Sequence, residues 1–295
     1  MKYSVHLITP LVICCFINCN SPKYTLVKTT SNFRWTELPG VGADIAGGVN
    51  DPSLYYVGCP TTTRCGNQDD GHEIYKFNFL AGWQQIGGFA YRISTDNEGN
   101  VWVINKSLKI FKRNPIQTSN WTQIPGDAND ITCGPSGGIW IIGKGKFARE
   151  GGIFKYSHGV FVPYPGGGIG VRIAVDRQGN PWIVTKNGEI YKGENNSWTN
   201  IPGPLAEDIA IGMDGVVWIM GKRPVNNGYC VYRKGINGWE SYPLPLQYSF
   251  VYGGAISTVN NIVGNIPVVI IDRMDVLRQA YGEPYYGKMF RLGRP

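Results

Sequence analysis

The chain has 295 residues, and its 40 Gly, 9 Trp and 17 Tyr with only 17% charged residues describe many short strands joined by tight turns. The formal net charge is +7, but Lys and Arg are scattered singly, which excludes the clustered footprint of a nucleic-acid binder. The charge is read as a solubility feature.

Residues 1–19 differ from the rest: Lys2 precedes a mostly apolar stretch, residues 7–17, interrupted by Pro10 and too short to span a bilayer. This is the pattern of a secretory signal, with cleavage near Cys19 or Asn20, so a secreted, extracellular protein is expected. In a bacterium Cys19 is the residue a lipid anchor would use, although Phe16, Ile17 and Asn18 depart from the small-residue pattern before such sites. Export places the remaining cysteines in oxidising surroundings. Cys59 and Cys65 share one turn-rich loop, CPTTTRC, and are expected to form a local disulfide, while Cys133 and Cys230 await the fold.

After a linker over 20–32, the first periodic element is RWTELPG, beginning at Arg34. Its echoes start at Trp83, Trp121 (WTQIPG), Phe161 (FVPYPG), Trp198 (WTNIPG) and Trp239 (WESYPL), spaced from Trp35 onward by 48, 38, 40, 37 and 41 residues. That period suits a four-stranded blade of a β-propeller. Each unit opens on a first strand of small residues, as at 44–48 or 207–211, which fits a crowded axis. A turn leads to a second strand with a central Trp (Trp102, Trp140, Trp182 or Trp218). The third strand reads EIYKF, KIFKR, GIFKY, EIYKG or CVYRK, and the fourth is the W-x-x-I-P-G strand itself.

The chain starts on a fourth-type strand and ends after a first (254–258), a second (267–271) and a third (288–291). The predicted fold is therefore all-β, a six-bladed β-propeller of four-stranded blades, closed by the N-terminal strand completing the last blade. One domain spans 33–295, with units at about 41–88, 89–126, 127–166, 167–203, 204–245 and 250–295, the last completed by 33–39. The first and last units are irregular, with insertions at 59–71 and 272–286, and a five-bladed ring with a C-terminal appendage is the other arrangement.

The motifs W-x-x-I-P-G, D-I-A-x-G, D-G-x-V-W and I-Y-K, in that order, resemble tectonin-type repeats, as in tectonin and fish-egg lectins, over about residues 33–243. The resemblance implies a carbohydrate-binding propeller whose partners are glycans on microbial or cell surfaces, with lipopolysaccharide and methylated glycans among the ligand classes. It implies no catalytic residue and no cofactor.

The chemistry-bearing residues are few. His72 and His158, the histidines beyond the leader, have no partner at ligand or triad spacing, so no metal site is expected and turn positions in solvent are. The turns beginning at Asp96 and Asp176 look superficially like calcium loops but carry too few carboxylates, and structural turns are the better reading. Residues flanking Trp102 are apolar on both parities, which predicts sheets buried on both faces and tryptophans that are mostly core. A partly exposed ring among Trp102, Trp140, Trp182 and Trp218 would be the sugar platform. One further pattern is not demanded by packing: the residue opening each first strand runs Asp44, Arg92, Asp130, Arg172, Asp208, Ala255. In the predicted ring these side chains gather at one end of the central channel, either as ion pairs between units or as a polar mouth for ligand. Three functions follow: a multivalent secreted lectin, a non-catalytic protein-interaction scaffold, and a propeller lyase or hydrolase, which would need catalytic residues supplied unequally by the units.

Overall fold

The computed structural model describes residues 26–28, 34–48, 53–59, 71–78, 82–114, 120–143, 151–222, 230–243, 251–258, 268–274 and 287–293. The expected signal segment with Cys19, the partner thiol Cys65 of the expected disulfide, and the stretch 275–286 lie outside the described residues.

Among the described residues every regular element is a β-strand. In chain order they are β1 (Leu26–Lys28), β2 (Arg34–Gly47), β3 (Leu54–Cys59), β4 (His72–Asn78), β5 (Gly82–Ala90), β6 (Arg92–Thr95), β7 (Val101–Ile104) and β8 (Lys109–Arg113). There follow β9 (Thr122–Cys133), β10 (Ile139–Gly143), β11 (Ile153–Ser157), β12 (Val160–Pro163), β13 (Arg172–Val175), β14 (Pro181–Val184), β15 (Ile190–Glu194) and β16 (Ser197–Ile201). The last are β17 (Ala206–Ile211), β18 (Val217–Gly221), β19 (Cys230–Gly235), β20 (Gly238–Pro243), β21 (Val251–Thr258), β22 (Val268–Met274) and β23 (Gly287–Gly293).

They form four open sheets, ordered β13-β14-β15-β16, β1-β20-β19-β18-β17, β12-β11-β10-β9-β8-β7-β6 and β21-β22-β23-β2-β3-β4-β5. The longer sheets arise because β2 and β9 each run from the fourth strand of one unit into the first strand of the next. Thus β9 pairs with β8 through Thr122, Gln123 and Ile124, then with β10 through 128–133. In the same way β2 pairs antiparallel with β23, Trp35 opposite Leu292, before pairing with β3. The N-terminal strand therefore lies against the last strand of the chain, as the motif order predicts.

Local sequence explains the hairpins. His158 and Gly159 between β11 and β12, and Asn195 and Asn196 between β15 and β16, all have positive φ. Two such residues make the turn whose twist matches that of the flanking strands, and Asn and Gly tolerate it best. The stretch read as linker departs from expectation: β1 adds to the outer edge of β20 in parallel, Leu26 opposite Trp239. The added strand covers an edge that would otherwise stay open.

The first strands of the units lie side by side, β2 beside β6, then β9, β13, β17 and β21, with β21 beside β2. The core sits between sheets, in clusters that each mix two consecutive units. Trp102 and Ile104 pack with Ile131 and Ile141, Trp140 and Ile142 with Ile173 and Ile183, and Trp182 and Val184 with Ile209 and Ile219. Ala255 and Met289 pack with Ile45 and Tyr56 of the first unit, and Ile256 packs with Trp218 of the fifth. A strand such as β7, buried at all four positions, is what burial on both faces requires.

Candidate functional site

The tryptophans and glycines of the repeat are accounted for by packing. Trp102, Trp140, Trp182 and Trp218 are 0%, 3%, 7% and 5% exposed, so none offers a face to a sugar, and the platform role expected for an exposed ring is corrected to core. Each carries a cation from the third strand: Lys112 lies 5.2 Å from the Trp102 ring centre, Lys155 5.4 Å from Trp140, Lys192 5.9 Å from Trp182 and Arg233 5.9 Å from Trp218. The cause is register, since each cation is the direct cross-strand partner of its Trp. The outer-strand rings seat on the preceding unit: Trp239 donates to the Pro202 carbonyl at 2.9 Å and Trp121 to that of Gly87 at 3.2 Å.

The turns at Asp96 and Asp176 are structural. Asp96 Oδ1 accepts from the backbone N–H of Glu98 and Asn100, and Oδ2 accepts from the Trp102 indole at 2.8 Å. Asp176 repeats this with Gln178, Asn180 and Trp182. Oxygens so committed leave little for a calcium ion. Among the described residues no group of three or more His, Cys, Asp or Glu could hold a metal. His72 is not a solvated turn residue but lies buried on β4 with its ring edge-on to Tyr91, and burial, aided by Lys106, pulls its pKa down to about 4. Cys133 on β9 is a free thiol whose pKa burial pushes up. It borders a different core cluster from that of Cys230, and the two do not pair.

What remains is the residue that opens each first strand. Asp44, Arg92, Asp130 and Asp208 come together around a cavity of about 100 Å³ that the first strands line, and Arg172 joins them through Asp208. The sequence placed them at one end of a central channel, and the structure gives their contacts. Asp44 Oδ2 accepts from the backbone N–H of Ile93, Asp130 Oδ2 from Ile173, and Asp208 Oδ2 from Ile256, each at 2.9 Å and each in the next unit. Arg92 lies between two carboxylates, 3.7 Å from Asp44 and 3.8 Å from Asp130, and Arg172 is 3.4 Å from Asp208. Opposite charges are thus interleaved, as buried charges must be to be tolerated.

The balance is incomplete. Burial, with Asp208 and Asp130 adding to it against Arg92, pushes the Asp44 carboxyl up to about 7. Burial likewise raises Asp130 to about 6, although Arg172 and Arg92 oppose it. For Arg92 burial works against the charge, but Asp44 and Asp130 outweigh it and its pKa moves up. A second row of contacts was missed in the sequence. Thr95 Oγ1 donates to the Gly47 carbonyl at 2.6 Å, Ser94 Oγ accepts from Cys133 N–H, Ser257 Oγ accepts from Gly47 N–H, and Thr258 Oγ1 donates to the Ile211 carbonyl. The signal was the Ile-Ser-Thr triplet shared by the second and sixth units, where the others carry other residues.

All-β sheets of this kind, with first strands gathered on a cavity, define a propeller-type fold. Solved structures bear this out: a YCF48 protein bound to a D1 peptide is similar at a TM-score of 0.55 and 12% identity, over 91% of this chain and 99% of that one. A gluconolactonase from Xanthomonas campestris is similar at 0.53 and 9%, over 89% and 90%. A protein of unknown function from Bacteroides thetaiotaomicron matches at 0.56 and 9%, over 87% and 70%. At such identities the likeness is one of fold. No family model and no curated protein matches the chain.

Proposed function

We propose that the chain is a six-bladed propeller ring, its last blade completed by the N-terminal strand, and that it works as a non-catalytic scaffold for a protein or peptide partner. The blade count is supported by core clusters that each join two consecutive units and by the pairing of β2 with β23. The observation that carries the functional reading is the fate of the repeat motifs. Among the described residues the indole rings, Pro-Gly turns and third-strand cations of the repeat are engaged in contacts within and between units, and the charged end of the cavity is a chemical feature left open to a partner. A peptide partner is compatible with the fold, since the YCF48 neighbour is described bound to one.

Secreted lectin is the second reading, favoured by the resemblance of the repeats to tectonin-type units. Its sites would lie between units and away from the four buried tryptophans. Parallel glycan and random-peptide arrays, probed with chain 20–295, separate the two. Peptide binding without glycan binding supports the scaffold, and glycan binding alone sinks it. Arg92→Ala and Arg172→Ala then report on the charged end: loss of thermal stability with binding intact assigns it to holding the units together. A gluconolactonase-like neighbour makes lactone hydrolysis the enzymatic reading, checked by turnover of a lactone series.

A further inference from the structure

The residues that open the first strands run Asp44, Arg92, Asp130, Arg172, Asp208 and then break at Ala255, and of these Asp44, Arg92, Asp130 and Asp208 line the cavity. Three carboxylates face two guanidiniums, so the fully ionised set is one negative charge in excess. The break is local. Arg92 stands between Asp44 and Asp130, whereas the place between Asp208 and Asp44 is held by a buried methyl group. Over that place Asp208 Oδ2 accepts from the Ile256 backbone N–H, while its Oδ1 accepts from the Ile209 N–H and lies 3.4 Å from Arg172. A carboxylate has about four acceptor directions, and the contacts made here leave capacity on Asp44, whose Oδ1 lies 3.7 Å from Arg92, beyond hydrogen-bond reach. The same groups line the cavity, so this capacity faces an accessible space.

We propose that the charged end of the cavity binds a guanidinium or primary ammonium group, seated beside Ala255 between Asp44 and Asp208, where it supplies the sixth member of the alternating ring. The inference rests on reading this end as the face that meets a partner, and it names what that partner brings: an arginine or lysine side chain. A multivalent metal ion fits less well, because Asp44 Oδ2 and both Asp208 oxygens are already held by backbone N–H groups and the arginines lie within 4 Å. The upward displacement of the Asp44 carboxyl agrees with an excess of negative charge that a cation would relieve.

The test is calorimetric titration with methylguanidinium against methylurea, its neutral isostere, at pH 8 and low salt. Methylguanidinium is expected to bind at least tenfold more tightly than methylurea. Asp44→Asn, which keeps an acceptor for the Ile93 N–H but removes the charge, is expected to lose at least tenfold in affinity. Ala255→Arg is expected to abolish binding and raise the melting temperature by filling the place from within. Should that variant fail to fold, the Asp44→Asn comparison decides alone. Equal binding of the charged and neutral probes, or undiminished binding by Asp44→Asn, overturns the proposal. Small-cation binding without any peptide binding sustains it and removes the scaffold reading, whereas peptide binding indifferent to methylguanidinium does the reverse.

Discussion

Trp239 rests on Gly203 so closely that a Cβ there would fall 2.5 Å from the indole Nε1, which itself bonds to the Pro202 carbonyl. The same crowding holds Gly88 under Trp121 and Gly168 under Trp198. Here the Pro-Gly that ends one unit is the seat for the aromatic ring of the next. Gly203→Ala is expected to cost roughly 1–3 kcal/mol by overpacking, and Trp239→Ala about 3–5 kcal/mol by cavity formation. In a double-mutant cycle read by denaturant unfolding the two should be clearly non-additive, because they act at one contact. Simple additivity would show that the ring and the turn do not depend on each other.

Asp96 satisfies two backbone N–H groups and the Trp102 indole at once. Asp96→Ala leaves these donors without their acceptor and should cost on the order of 2–3 kcal/mol, seen as a lower urea midpoint. In the third unit the equivalent residue is Gly134, and the Trp140 indole there is buried without a hydrogen-bond acceptor. Restoring the carboxylate by Gly134→Asp is nevertheless expected to destabilise, since its Cβ would lie 2.6 Å from Val175 Cγ1. A gain in stability from Gly134→Asp would overturn this reading of why glycine stands there.

Asp44 faces Arg92 on β6, Asp130 on β9, Asp208 on β17 and the Ile93 N–H, and its folded pKa of about 7 lies above the ordinary carboxyl value of 3.8. The folded state therefore binds the proton more tightly than the unfolded chain, so the contribution of this group to stability falls as pH rises from about 4 to about 7. Asp130, raised to about 6, acts in the same direction over a narrower window. Asp44→Asn should remove the larger part of that slope and leave the variant more stable than the parent at pH 8. Thermal melts from pH 5 to pH 8 check this; an unchanged slope in the variant would assign the pH dependence elsewhere.

Much of the scaffold was legible in the sequence because its motifs recur at one period and each is a local rule. Apolar residues on both parities of 101–104 foretold a sheet covered on both faces. The motif order also foretold that the strand containing Trp35 would pair with the last strand of the chain. Less legible were contacts fixed by the approach of different units. The Ile-Ser-Thr triplet marks Ser94 and Ser257 as a shared feature but not as hydroxyls that bond a neighbouring backbone N–H, and nothing local marks β1 as a strand for the outer edge of β20.

The opening residues of the first strands divide along the same line. The sequence by itself determined the alternation of Asp and Arg and its interruption at Ala255, because order along the chain becomes order around the axis once the repeat is known. Only the tertiary structure decided what that alternation means. It brings 44, 92, 130 and 208 around one cavity with 172 beside 208, ties each Asp to the backbone of the following unit, and buries the three carboxylates. Burial is the physical reason this matters, since removing water is what makes an unbalanced carboxylate hold its proton toward neutral pH. A pattern of signs thereby becomes a site with a defined deficit of one positive charge.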